Sequence, residues 1–237
     1  MSESSNFSLG TVIAQIKQII TNPVEFYRNM PKTGGYGEPI IFLLVAAVGG
    51  GIVLAALSII GLSPAGLGMA GLGAIIMFPI GGLIGSFFVA AVLFIIWKLM
   101  GSSENYETAY RCVAYSFALM PAFAVLMMIP YLGTVIRTLW GTWLVIIQST
   151  EVHGRTQQTS KLVFGILAVI FVIGGLRAEY ATRQITDQME EFRAGLSQAQ
   201  SNALENLEEM TPEEMGRAAG EFFKGLENAA KQAEEGN

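Results

Sequence analysis

Residues 39–62 read PIIFLLVAAVGGGIVLAALSIIGL, 24 consecutive positions without an ionisable side chain. At about 1.5 Å of rise per residue, a helix of this length crosses a hydrocarbon core of about 30 Å. Residues 73–97, GAIIMFPIGGLIGSFFVAAVLFIIW, give a second run of 25, and the linker between the two is also free of charge. A water-soluble fold can bury one helix that is apolar on every side; two in succession call for a bilayer as solvent. The fold class expected is all-α, a polytopic transmembrane helix bundle.

Three weaker segments follow. Residues 113–130 are free of charge, residues 132–147 contain Arg137, and residues 162–176 form a 15-residue run between Lys161 and Arg177. The long stems of those two cations let them reach the headgroups from just inside the membrane. Five spans are expected over 39–176, or four if one of the last two segments does not cross.

Charge divides the chain further. Only 14% of residues are charged, against about 25% in a soluble domain. Residues 1–176 hold eight basic and six acidic groups, a net of +2, whereas 177–237 hold six and thirteen, a net of −7. The division expected is therefore 1–38 as an amphipathic interfacial segment, 39–176 as the bundle, and 177–237 as an acidic, water-soluble helical tail. Lys17, Arg28, Lys32, Lys98, Arg111, Arg155 and Lys161 fall on alternate connections, which the positive-inside rule assigns to the cytoplasm. With an odd number of spans the tail lies on the opposite face; Arg177 and Arg183 pull the other way.

The flanks carry helix signals. Val12, Ile13, Ile16, Ile19 and Ile20 repeat at helical spacing, either along the headgroup plane or against the bundle. Asn22-Pro23 starts a short helix with Glu25 in its first turn. In the tail, Met189, Phe192 and Leu196 form one stripe and Met215, Phe222 and Leu226 another, the second opened by the capping box Thr211-Pro212-Glu213-Glu214. Phe192, Leu196, Phe222 and Leu226 are the expected contact residues of the tail, within a self-packed hairpin or against a partner.

Few residues carry chemistry. Gly51, Gly81, Gly82 and Gly85 place small faces on the first two spans, where backbones can approach closely. Pro79 and Pro121 interrupt helices and deprive the carbonyls of Ile75 and Phe117 of their usual donor. Tyr115, Ser116 and Arg137 would join these prolines around a polar interior if the bundle had one. Arg137 lies about 7–8 Å into its span, within snorkelling reach of the interface, with no carboxylate in any span to pair with it. His153 reads as a surface-loop residue, Trp140 and Trp143 as packing anchors, and Trp97, Tyr106, Tyr131 and Tyr180 as an interfacial belt. Cys112 is the only cysteine, so no intrachain disulfide or CxxC motif exists. No catalytic residues, metal ligands, cofactor or nucleic-acid partner are expected, and residues 1–38 lack the apolar core of a signal peptide.

A set of short motifs runs through this frame: Pro23-Val24-Glu25-Phe26-Tyr27, then Tyr106-Glu107-Thr108-Ala109-Tyr110-Arg111, Ala114-Tyr115-Ser116, Pro121, Ile129-Pro130, Gly133, Trp140, His153 and Lys161. At these positions the chain resembles the Ypt-interacting-protein (Yip) family of five-span membrane proteins, over residues 10–176. The resemblance implies Golgi and endoplasmic-reticulum membranes, Rab-type GTPases and vesicle traffic for eukaryotic members, whereas prokaryotic relatives have no established activity. The short N-terminal segment and long acidic tail depart from the eukaryotic pattern. They imply the prokaryotic branch and a bacterial inner membrane, and they argue against GTPase binding. The function expected is a non-enzymatic membrane scaffold, self-associating or bound to a membrane-protein partner. The alternative is a small transporter or channel subunit with a polar site between the second, third and fourth spans.

Overall fold

The computed structural model describes residues 8–60 and 69–209, together with 211, 213, 214, 216, 217, 220, 221 and 224. All elements among them are helical: α1 (Leu9–Thr21), α2 (Pro23–Asn29), α3 (Gly37–Ile59), α4 (Met69–Leu99), α5 (Tyr106–Ser116), α6 (Met120–Leu126), α7 (Leu132–Glu151) and α8 (Gln157–Glu209). Asn22 ends α1 and caps α2, its side chain accepting from the Glu25 amide, with Pro23 in the first turn. The N-cap and proline signals are therefore both used.

Among the described residues, four helices are long and apolar enough to cross a membrane: Gly37–Ile59, Gly73–Leu99, Tyr106–Leu126 and Gln157–Asn202. Helix α7 has 20 residues but is diluted by Thr134, Arg137, Thr138, Thr142, Gln148 and Ser149, and it is not among the four. The third crossing begins earlier than the charge-free stretch suggested. Tyr106 already starts a helix capped by Asn105, so Glu107 and Arg111 lie on the crossing helix and not in a connection.

The two prolines behave differently. Helix α4 runs through Pro79 without interruption. At Pro121 the chain tightens into one 3-10 turn, Phe117–Leu119, between α5 and α6. The Met120 amide then donates to the Phe117 carbonyl, so that carbonyl is not left unpaired as the proline spacing implied.

The register of the bundle follows from its contacts. Leu43 packs with Ala90, and Leu54 with Ala74, so α3 and α4 are antiparallel. Ser116 meets Gln148, and Phe123 meets Trp140, so α7 runs back along α5–α6. Trp97 meets Phe164 at one end of α8, and Thr134 lies beside Gly175 farther along it. In water the exposed Ile76, Ile80, Ile84, Phe88, Val92 and Ile95 of α4 would form a destabilising patch. In lipid they are the solvent-facing side, and close packing supplies the association.

Helix α1 packs one of its faces against the bundle, the second of the two expected alternatives. Val12 and Ile19 are fully buried in the core with Phe26, Tyr27, Phe42 and Leu119, whereas Leu9, Ile13 and Ile20 are exposed. The chain divides into two compact units after Glu179. In the second unit Phe192 and Leu196 are exposed, and the Glu214 carboxylate accepts from both the amide and the hydroxyl of Thr211, a formed capping box. These two bonds hold the Glu214 carboxyl below its usual range. Phe222 and Leu226 lie outside the described residues.

Candidate functional site

The larger set of polar side chains in the first unit gathers at one end of the bundle, where the N-terminal segment, the turn after α4 and the turn after α7 meet. Arg111 organises this end. Its side chain is 1% exposed, and its guanidinium donates to the Pro31 carbonyl (2.7 Å), the Gly35 carbonyl (2.8 Å) and the Glu38 carboxylate (3.1 Å). One buried cation on α5 thus fixes the whole connection between α2 and α3. Gly34 and Gly35, at φ 122° and 82°, allow the chain to wrap around it. Thr108 adds a bond to the Lys32 carbonyl, and the ion pairs Arg28–Glu151 and Lys32–Glu104 close the rim at 2.8 and 2.7 Å.

Beneath this lid lies a hydroxyl–amide cluster. Gln148, fully buried on α7, donates from Nε2 to Ser116 Oγ (2.7 Å) and to the Cys112 carbonyl (3.3 Å). Ser116 spends its own hydrogen on the Cys112 carbonyl at 3.0 Å, so the Tyr27 phenol is the donor in the 3.3 Å Tyr27–Ser116 contact. Burial pushes the Tyr27 phenol above the ordinary tyrosine range, and the Ser116 bond opposes this. Phe26 and Phe42 close the site, each edge-on to the ring of Tyr115, which is 1% exposed.

The third component corrects two expectations. Trp97 is buried, not part of an interfacial belt, and His153 is 3% exposed, not in a solvated loop. The imidazole stacks on the indole at 3.8 Å between centroids and 19° between planes. Trp97 Nε1 donates to Ser149 Oγ (2.8 Å), and His153 Nδ1 pairs with Ser102 Oγ (2.9 Å). Ser102 Oγ also accepts from the Glu104 amide, while His153 Nε2 is buried without a hydrogen-bond partner. Burial first, then the charges of Lys32, Arg155 and Lys98, lower the His153 pKa to about 3. A neutral, stacked ring is a packing element, not a proton shuttle at neutral pH.

The residues expected around a polar interior do not converge. Tyr115 and Ser116 belong to the filled cluster, Pro121 packs beside Gly49, and Pro79 is half-buried on α4. Arg137 sits at the opposite end of α7, donating from Nη2 to Thr134 Oγ1 (3.2 Å), while Thr134 donates to the Glu179 carboxylate (2.6 Å). Helix α8 continues past Leu176, which brings Glu179 within one hydroxyl of Arg137, where composition offered it no carboxylate. Glu179 also accepts from the Tyr131 amide at 3.0 Å and so caps the start of α7.

The four glycines separate too. A methyl at Gly51 would lie 2.8 Å from the Ala74 carbonyl oxygen and Ile75 Cα, so the α3–α4 approach requires glycine there. Gly82 faces the Phe117 ring, and Gly81 and Gly85 have open space beside them. Trp140 packs on Phe123, but Trp143 is 45% exposed and is no packing anchor. Among the described residues, no three His, Cys, Asp or Glu side chains are grouped to hold a metal.

Arg111, Gln148 and Trp97 are the residues missed at the sequence level. In sequence Arg111 reads as a loop cation, and Gln148 falls one residue beyond the fourth apolar run. Tyr27, Arg111 and His153 did carry a signal, since all three stand in the quoted motifs. The chain matches the family model described as Yip1 domain over residues 17–177, which takes in every residue of this end cluster. No curated protein and no solved structure matches it.

Proposed function

The chain belongs to the Yip1 domain family of membrane proteins, and from that premise we propose that it acts as a non-enzymatic scaffold, holding partner helices or further copies of itself. Its helices place it in a lipid bilayer. The carrying observation is that the volume expected of a transport site is occupied. Phe26 and Tyr27 of the N-terminal segment fill the space around Tyr115 and Ser116, where Tyr27 and the Gln148 amide nitrogen both donate to the Ser116 hydroxyl. A side-chain-filled, rigidly bonded end suits a platform. On the outer side, Gly81 and Gly85 leave room on α4 for the close approach of another helix.

We propose five crossings, with α7 as the fourth. Its support is directional: α7 starts where α6 ends and returns the chain to the end where Glu151 meets Arg28. The same end gathers Lys32, Lys98, Arg155 and Lys161, which supports a cytoplasmic face there by the positive-inside rule, and an odd number of crossings then calls for the acidic tail across the membrane. A bacterial inner membrane is the setting proposed.

The test is the number of subunits per particle in nanodiscs, by mass photometry, for the full chain, Gly81→Ile/Gly85→Ile, and a chain ending at Gln184 that keeps the Glu179 cap. A scaffold using these surfaces loses subunits or co-purifying proteins in at least one altered chain. Identical particles from all three would dismiss both surfaces.

A further inference from the structure

Helices α7 and α8 are joined by a short turn at one end and touch at the other, yet part between. At the far contact a methyl on Gly175 would lie 2.9 Å from Thr134 Cγ2, and the Glu179 carboxylate pins the two helices together. Between these ends runs a groove of about 470 Å³, with Val135, Leu139, Trp143 and Ile146 on one wall and Gly165 and Val169 on the other. From Val135 to Ile146 it extends about 16 Å at helical rise.

Its chemistry restricts the occupant. The polar groups of the lining are the Thr142 hydroxyl, which already donates to the Thr138 carbonyl at 2.8 Å, and the lone indole N–H of Trp143. The walls therefore ask for hydrocarbon. A transmembrane helix, about 10 Å across with its side chains, is too thick for a slot held at both ends; an acyl chain is not. Charge indicates the headgroup. Lys161, one turn before Gly165 on the same side of α8, is exposed at the mouth. Nearby, Arg155 donates to the carbonyls of Met100 and His153, which leaves its charge uncancelled by those partners. At the other end Arg177 is exposed and Arg137 lies one hydroxyl away from Glu179, whose carboxylate offsets the charge there and opposes a phosphate.

We propose that this groove is a lipid site: one acyl chain of an anionic phospholipid lies between α7 and α8, with its phosphate drawn to Lys161. The inference needs only the bilayer setting and does not depend on the scaffold reading.

Trp143 serves as the reporter, in nanodiscs of phosphatidylcholine containing a minor fraction of chain-brominated phosphatidylglycerol or, separately, chain-brominated phosphatidylcholine. Bromine quenches indole on contact, and the signal lost in Trp143→Phe isolates this residue from Trp97 and Trp140. The brominated phosphatidylglycerol is expected to quench Trp143 at about fivefold lower fraction, the enrichment that one cation at the headgroups gives. Lys161→Gln should erase that preference. Gly165→Leu, which fills the groove, should lower quenching by both lipids, and Val169→Phe does the same service if the leucine variant fails to fold. Gly174→Leu, with open space on another side of α8, and Arg177→Gln should behave as the parent chain. Equal quenching by the two lipids would mean ordinary bulk lipid, no quenching by either would mean a protein partner covers the groove, and loss of the preference in Arg177→Gln would put the headgroup at the wrong end. Each result overturns the proposal.

Discussion

Acidification should weaken this fold through His153, and the size of the effect can be worked out. In the unfolded chain the imidazole titrates near its ordinary value of about 6.5; in the folded protein burial and the cations Lys32, Arg155 and Lys98 hold it to about 3. Between those values the unfolded chain binds a proton that the folded one refuses. The stability tied to the neutral ring is thus complete above pH 6.5 and lost as pH falls towards 3. From pH 7 to pH 5 the loss is about 2 kcal/mol, or about 4–8 °C in midpoint for a chain of this size. The assay is thermal unfolding in nanodiscs at pH 7, 6 and 5, followed by tryptophan emission. His153→Phe is the comparison, since it keeps an aromatic ring against Trp97 but has nothing to protonate. Other titrating groups act on both chains, so only the difference matters. If both lose the same stability between pH 7 and 5, the ring is solvated or already charged, and its stacked, neutral placement is wrong.

Two further perturbations address the rest of the bundle. Arg111→Met leaves the Pro31 and Gly35 carbonyls and the Glu38 carboxylate without their donor; truncating one partner of a buried charge pair costs about 3–5 kcal/mol, less here because Glu38 is partly exposed. Trypsin should then cut at Lys32 at least about tenfold faster, the equivalent of about 1.4 kcal/mol of local opening, and an unchanged rate would show the connection is held by other bonds. Gly51→Ala should destabilise the bundle by about 1–3 kcal/mol, because the added methyl meets α4 backbone and not a movable side chain. Gly81→Ala, with open space beside it, should stay within about 0.5 kcal/mol of the parent chain, so equal midpoints for the two alanine variants would refute the α3–α4 register.

What the linear chain determined is what depends on solvent and local geometry. Two charge-free runs longer than a hydrocarbon core allow only membrane-spanning helices, whatever surrounds them, because an unpaired peptide group in lipid is too costly. Asn22-Pro23 and Thr211 with Glu214 place their caps through bonds spanning three residues. The short motifs pointed to the Yip family for the same reason, since they are read directly along the chain. Tertiary structure alone decided where polar groups of low count go. His153 looked like a loop residue until Trp97, 56 positions earlier, supplied a ring to stack on. Arg111 looked like a headgroup cation until the carbonyls of Pro31 and Gly35 surrounded it. Gly51 and Gly81 read alike in sequence, yet one faces a backbone at 2.8 Å and the other open space. Partners brought together by folding are not encoded in spacing, so a residue's apolar or polar character predicts its solvent far better than its neighbour.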